Sequence, residues 1–242
     1  VGPMARTVSR VARIQAVIAD PAPAAALAGA LDRDVAGLRL AVPDDFFFDE
    51  ADPPVAAAVM AAARVLEQRG ARLVSVAIPA AAEAQAQLMP VLFADAASFH
   101  RERIETRPEG FSAGVLARLR PGLDMRAVDY ARSLRWLEAW RLRVAAFFRD
   151  EADAMLTPSV PVVAREAGDD ATLTAVTSRI SRFAWAWSAA GAPALSVPCG
   201  FVDGLPVGLQ VAAGPGDDAT VLAIGHRYQE ATGWHLIAPP VG

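Results

Sequence analysis

Two short apolar runs flanking one amphipathic helix constrain this chain more than any other feature. Leu38 to Pro43 (LRLAVP) and Leu73 to Pro79 (LVSVAIP) have the length and composition of buried strands. Between them, Asp44 to Asp52 is acidic and aromatic and reads as a loop. Pro53-Pro54 then opens a helix, because proline suits the first helical positions, where no intrahelical N–H bond is lost. Val55, Val59, Ala62, Ala63 and Leu66 fall on one face of that helix, while Arg64, Glu67 and Gln68 take the other; Gly70 ends it. Strand, helix and strand at this spacing form a βαβ unit, so the two strands should lie parallel with a right-handed crossover.

The rest of the chain extends that layout. A helical stretch is expected over Ala81 to Glu105, kinked or broken at Pro90, whose ring removes an N–H and crowds the preceding turn. A loop rich in Gly and Pro, around Arg107 to Gly122, should lead to a long helix capped by Asp124. Its apolar side would be Val128, Leu134, Leu137, Val144, Phe147 and Phe148, with Arg126, Arg132, Arg135, Arg141 and Arg143 on the wet face. Ala154 to Val160 (AMLTPSV) reads as a strand stopped by Pro161, and Ala171 to Ala190 as a helix. Ala194 to Val202 and Leu205 to Ala213 flank Asp203-Gly204, a pair that accepts the positive φ angles of a two-residue hairpin turn. A last helix is expected over Asp217 to Thr232, with a tail from Trp234. The fold class that follows is α/β, a mixed and mostly parallel sheet flanked by helices. One domain over residues 1–242 should contain the Leu38–Pro79 βαβ unit, a helical segment Ala81–Asp150, late strands and hairpin Ala154–Ala213, and a terminal helix and tail Asp217–Gly242.

Composition limits the function. Hydrophobic residues make up 54%, yet no run approaches the roughly 18 apolar residues of a membrane span, so a soluble protein is expected. The net charge of −4 comes without a basic cluster, which argues against direct nucleic-acid contact. All 23 basic residues are arginine, so no Schiff base, phosphate-loop lysine or lysine general base can be completed within these residues. One cysteine, Cys199, allows no internal disulfide and suggests the reducing cytoplasm. His100, His226 and His235 are too scattered for a metal site, and nothing implies a cofactor. The chain opens Val1-Gly2-Pro3 with its first methionine at Met4, as a piece of a longer protein would.

Two motif matches lack the setting they need. Gly110-Phe111-Ser112-Ala113-Gly114 fits a G-x-S-x-G nucleophile elbow, but it follows Arg101 to Glu109, too charged for the central strand that elbow requires. Gly214-Pro215-Gly216-Asp217-Asp218-Ala219 fits a relaxed dinucleotide fingerprint, but Asp217 and Asp218 would repel a pyrophosphate and suit an unliganded helix start. Cys199, in an apolar strand, reads as a small buried hydrophobe, and Trp136 and Trp140 as core or helix-packing aromatics.

Three segments, VGPMARTV (Val1 to Val8), EADAMLTPSV (Glu151 to Val160) and ALSVPCGFVDGLPVGLQ (Ala194 to Gln210), in this order resemble the post-catalytic part of amidase-signature enzymes. The 38–79 unit resembles the same family's LRIGVP…GA-x-V…LP pattern. The resemblance implies an amide hydrolase working through a Ser–cis-Ser–Lys triad, in which the lysine deprotonates the bridging serine and backbone N–H groups hold the oxyanion. In the family these parts precede the GPMART-like turn, so no catalytic residue carries over, and this chain alone is expected to be inactive. What the resemblance carries over is pocket lining at Trp187, Cys199, Gly200 and Asp203, with Arg118 where ammonia-transferring relatives hold a substrate carboxylate. From the residues themselves, Asp203 reads as the hairpin turn and Gly200 and Gly208 as places of close backbone approach. Two positions depart from the family pattern: Arg10 replaces an aspartate, and Trp187-Ser188 replaces Phe-Asn.

Three functions stay open on this reading: the C-terminal part of an amide hydrolase, part of the A subunit of a glutamine-dependent amidotransferase, or a non-catalytic scaffold. The expected partners are a small-molecule amide in the complete enzyme, and either further copies of the chain or the missing N-terminal half, which would cover apolar surface left bare.

Overall fold

The two apolar runs lie side by side in one five-stranded mixed sheet of order β2-β1-β3-β5-β4. The computed structural model describes residues 2–19, 27, 29–166 and 170–238; Val1 and the last residues of the expected tail, 239–242, lie outside that set. The first half holds α1 (Val8–Ile18), β1 (Arg39–Pro43), the one-turn α2 (Phe46–Asp49), α3 (Pro53–Gln68), β2 (Arg72–Val76) and α4 (Ala84–Thr106). The second holds α5 (Ala113–Leu123), α6 (Ala127–Asp150), β3 (Ala154–Pro158), α7 (Asp170–Ala190), β4 (Ala194–Val202), β5 (Leu205–Ala212) and α8 (Asp218–Ala231).

β1 and β2 pair in parallel from Arg39↔Arg72 to Pro43↔Val76, with α3 between them, as the βαβ pattern requires. β1 also pairs in parallel with β3, and β5 runs antiparallel to both β3 and β4. Four of the five strands therefore point the same way, and only β5 is reversed. The hairpin turn is as short as the sequence implies. Asp203 at φ +51° and Gly204 at φ +77° join Val202 directly to Leu205, the two positive φ angles of a type I′ turn.

Helices cover both faces. Leu40, Leu156, Leu209 and Val211 point to a face packed by α1, α3 and α8, with Val59, Leu66, Ile224 and Tyr228 among the buried residues. Ala41, Met155 and Ala212 point to the opposite face, under α2, α6 and α7, where Phe47, Trp140, Phe183 and Trp187 form an aromatic core. Two-sided burial explains why all five residues of β3 are buried and why its sequence shows no polar alternation.

The structure corrects several local expectations, and in each case a tertiary contact decides. The Asp44–Asp52 stretch is not a plain loop: Phe46 and Phe47 sit in the aromatic core on α2. α4 runs through Pro90 unbroken; the carbonyl that loses its partner four residues earlier belongs to exposed Ala86, where water can replace the bond. The Gly/Pro-rich stretch before α6 contains helix α5, because Gly122 lets it approach α4 so closely that a Cβ there would collide with the Phe93 carbonyl. Asp124 is the C-cap of α5 rather than the cap of α6, which starts after Arg126 without a side-chain cap. On α6, Val128 and Leu134 are exposed, while Trp140 is 1% exposed and takes their place in the core. An amphipathic helix, α1, occupies a stretch for which no element was expected; Thr7 caps it, accepting from the Arg10 N–H.

Candidate functional site

Polar side chains inside an apolar sheet need partners, and the partners here form one connected set on the aromatic face. Thr157 of β3, Gln210 of β5 and Ser196 of β4 share one row of the sheet, Gln210 being the register partner of both neighbours. Thr157 is fully buried and Gln210 is 7% exposed. Gln210 Oε1 accepts from Trp187 Nε1 at 2.7 Å and from Thr157 Oγ1 at 3.1 Å. Two donors on one oxygen fix which end of the amide is oxygen and which is nitrogen. Trp187 is itself immobilised, stacked on Phe47 with ring centroids 5.6 Å apart and planes 7° from parallel.

The next row lies toward the carboxyl ends of β3 and β4. Ser159 and Ser196 approach to 2.6 Å between hydroxyl oxygens, reaching over Gly208, whose carbonyl accepts from the Ser159 N–H at 2.9 Å. A Cβ on Gly208 would sit 2.7 Å from Ser159 Oγ and 2.9 Å from Ser196 Oγ. Glycine is required there so that the hydroxyls can meet. On this face β4 is open: Ala194 and Ser196 are both exposed.

The five positions nominated from the sequence do not converge. Trp187 is 1% exposed in the aromatic core, and Cys199 is 4% exposed in the aliphatic core on the opposite face of the sheet. Burial pushes the Cys199 thiol up to about 12, and burial followed by the neighbouring Cys199 also raises the Tyr228 hydroxyl. Gly200 follows an irregularity in the β4–β5 register, and Asp203 is the hairpin turn. Arg118 is exposed on α5. Ser112 caps the start of α5, its Oγ accepting from the Val115 N–H at 3.4 Å, and Asp217 caps α8 in the same way through the Thr220 N–H at 3.2 Å. Both motif matches are therefore helix starts. Thr157, Ser159, Ser196 and Gln210 lie within the two late segments that resemble the amidase-signature pattern, but they were not among the nominated positions. Their signal is nonetheless present: hydrogen-bonding residues at matching register inside three otherwise apolar strands.

The charged groups serve the frame. At the start of β1, the Arg39 side chain donates to Asp153 Oδ1 at 3.0 Å and its backbone N–H donates to Oδ2 at 2.7 Å. Partial burial opposes ionisation of Asp153, but these two bonds outweigh it and hold the carboxyl below its ordinary value. Near the start of α3, Arg179 and Arg182 of α7 pair with Asp52 at 3.0 Å and Glu50 at 3.1 Å. No helix among the described residues is long and apolar enough to cross a membrane, and none of them form a cluster of three or more metal-ligating side chains.

A mixed sheet between helical layers, with a polar row opening at one edge, sets the class of this protein as α/β. The chain belongs to the amidase family, whose family model matches residues 1–222. It is 34% identical to an amidase of Pseudomonas putida over 98% of this chain and 54% of that protein. It is also 34% identical to the A subunit of the glutamyl-tRNA(Gln) amidotransferase of Chloroflexus aggregans, over 99% of this chain and 55% of that relative. Among solved structures, an amidase superposes with a TM-score of 0.72 at 29% identity, covering 82% of this chain and 46% of the other. The chain spans about half the length of the curated relatives it matches.

Proposed function

We propose that this chain forms the C-terminal, non-catalytic share of an amide hydrolase, supplying sheet core and one wall of the substrate pocket. The observation that carries the reading is a family match across 222 residues in which no lysine occurs, so the base of a Ser–cis-Ser–Lys triad must come from elsewhere. Of the five positions nominated for the pocket, Trp187 is the one tied to the open face, through Gln210. In this reading Cys199 is core, Gly200 serves the bulge, Asp203 serves the turn, and Arg118 lies apart on α5.

A covering partner is also part of the proposal. Met4 is 90% exposed, Phe201 40%, Leu205 37% and Ile237 52%, around a groove of about 820 Å³ that Trp234 and Pro206 also line. Apolar surface gathered in this way favours burial against another polypeptide, either the rest of an amidase or further copies of this chain. The similarity to the A subunits of amidotransferases supports a second reading, in which the complete protein passes ammonia to an acceptor within a complex.

One experiment separates these readings. The chain alone is expected to release no ammonia from simple amides and to leave a fluorophosphonate serine reagent unconsumed. The same chain joined to an amidase N-terminal half carrying the lysine and both serines is expected to hydrolyse amides without a partner. Stoichiometric labelling of any serine in the chain alone would overturn the proposal. Activity that emerges only with a second protein present would favour the amidotransferase reading.

A further inference from the structure

We propose that the face formed by α1, the Asp203-Gly204 hairpin end and the single turn Trp234–Leu236 docks an acidic amphipathic helix of a separate protein. The proposal rests on the reading that this side of the molecule is covered by polypeptide, and it assigns that polypeptide a chemistry and a source. The groove of about 820 Å³ described above meets, at Ala5, a second depression of about 520 Å³ along α1. α1 carries apolar residues on two sides. Val8 and Ala12 are buried in the aliphatic core, whereas Ile14, Val17 and Ile18 are exposed and line the depression. A helix whose core face is already filled gains nothing from a second apolar stripe unless another surface covers it.

Arg6, Arg10 and Arg13 line the two depressions, and among the described residues no aspartate or glutamate does. All three arginines are exposed, and none is in an ion pair with a described residue. A chain of net charge −4 thus presents a positive, apolar face, whose complement is a row of apolar anchors flanked by carboxylates. A second copy docking about a two-fold axis would set these arginines against their own counterparts, with no acid to offset them. The charge at Arg10 is also particular to this chain, since the amidase pattern has aspartate there; a covering surface common to amidases would meet the opposite sign. Pro198 and Pro206 line the groove and have no N–H to offer an added strand, so the occupant is read by side chains, as a helix in a groove is.

The test uses a dye-labelled helical peptide of about 18 residues, with leucines along one face and glutamates on both flanks, and a control in which glutamine replaces every glutamate. The glutamate peptide should bind this chain saturably and more weakly as salt rises, and the control at least about tenfold more weakly. Arg10→Glu combined with Arg13→Glu, at exposed positions, should weaken the glutamate peptide by about tenfold. Arg10→Lys combined with Arg13→Lys keeps the charges and should stay within about threefold of the parent. Equal affinity for the two peptides, indifference to salt, a glutamate pair that binds like the parent, or a lysine pair as weak as the glutamate pair would each overturn the proposal. Binding to phosphatidylserine vesicles without binding to the peptide would also overturn it, and would assign the face to a membrane surface. Joining the chain to an amidase N-terminal half separates this inference from the hydrolase reading. A joined protein that hydrolyses amides but no longer takes the peptide would sink this inference alone, because its own other half then fills the face. A joined protein that takes the peptide but hydrolyses no amide would sink the hydrolase reading instead.

Discussion

The two faces of the sheet are built from the same five strands, yet they differ in chemistry and in coverage. The face under α1, α3 and α8 is aliphatic and tight: a Cβ on Gly225 of α8 would displace the Leu195 side chain of β4. The face under α2, α6 and α7 is aromatic and includes buried hydrogen-bonding groups, and it stops short of β4. An aliphatic layer packed on the central strands holds the structure together. A layer that ends before the last strand leaves Ser196 of β4 exposed at the end of a row whose other polar members, Thr157 and Gln210, are buried.

If the aromatic face is anchored by the Trp187–Gln210 bond, its loss should be the most damaging single change. Trp187→Ala is expected to cost about 3–5 kcal/mol in denaturant unfolding, and at least as much as Leu156→Ala on the aliphatic face, because it both opens a cavity and frees Gln210. The reverse order would break the comparison. Gly122→Ala, which pushes α5 off α4, should cost about 1–3 kcal/mol, through the overpacking seen when volume is added at a close contact.

The alkaline limb tests the aliphatic face. Cys199 ionises in the unfolded chain near its ordinary value of 9 but only at about 12 when folded. The folded state therefore holds its proton longer, and stability should fall as pH rises between those values. Cys199→Ala should flatten part of that fall, with Tyr228 supplying the remainder; a pH dependence unchanged by the substitution would mean that Cys199 is not sealed in. The smallest effect is expected for Leu134→Ala on α6, 42% exposed, which should change stability by less than about 0.5 kcal/mol. A larger loss would reveal that a partner covers this surface.

The sequence by itself determined the elements whose signal is local. The βαβ unit, the Asp203-Gly204 turn, the Asp217 helix start and the family follow from apolar periodicity, from two residues that accept positive φ, and from motif order, none of which depends on distant neighbours. Tertiary structure alone decided which apolar residues are core and which polar residues meet. Trp140 is core, as its spacing from Trp136 suggested, but Leu134 and Val128 are exposed because α6 turns its aromatics toward α7, where Trp140 Nε1 donates to the Ala186 carbonyl at 2.8 Å. Thr157, Ser159, Ser196 and Gln210 lie on or beside three strands, and only strand register places them in two adjacent rows. A composition pattern records which face a residue prefers, whereas a hydrogen bond between strands depends on alignment that no single segment encodes.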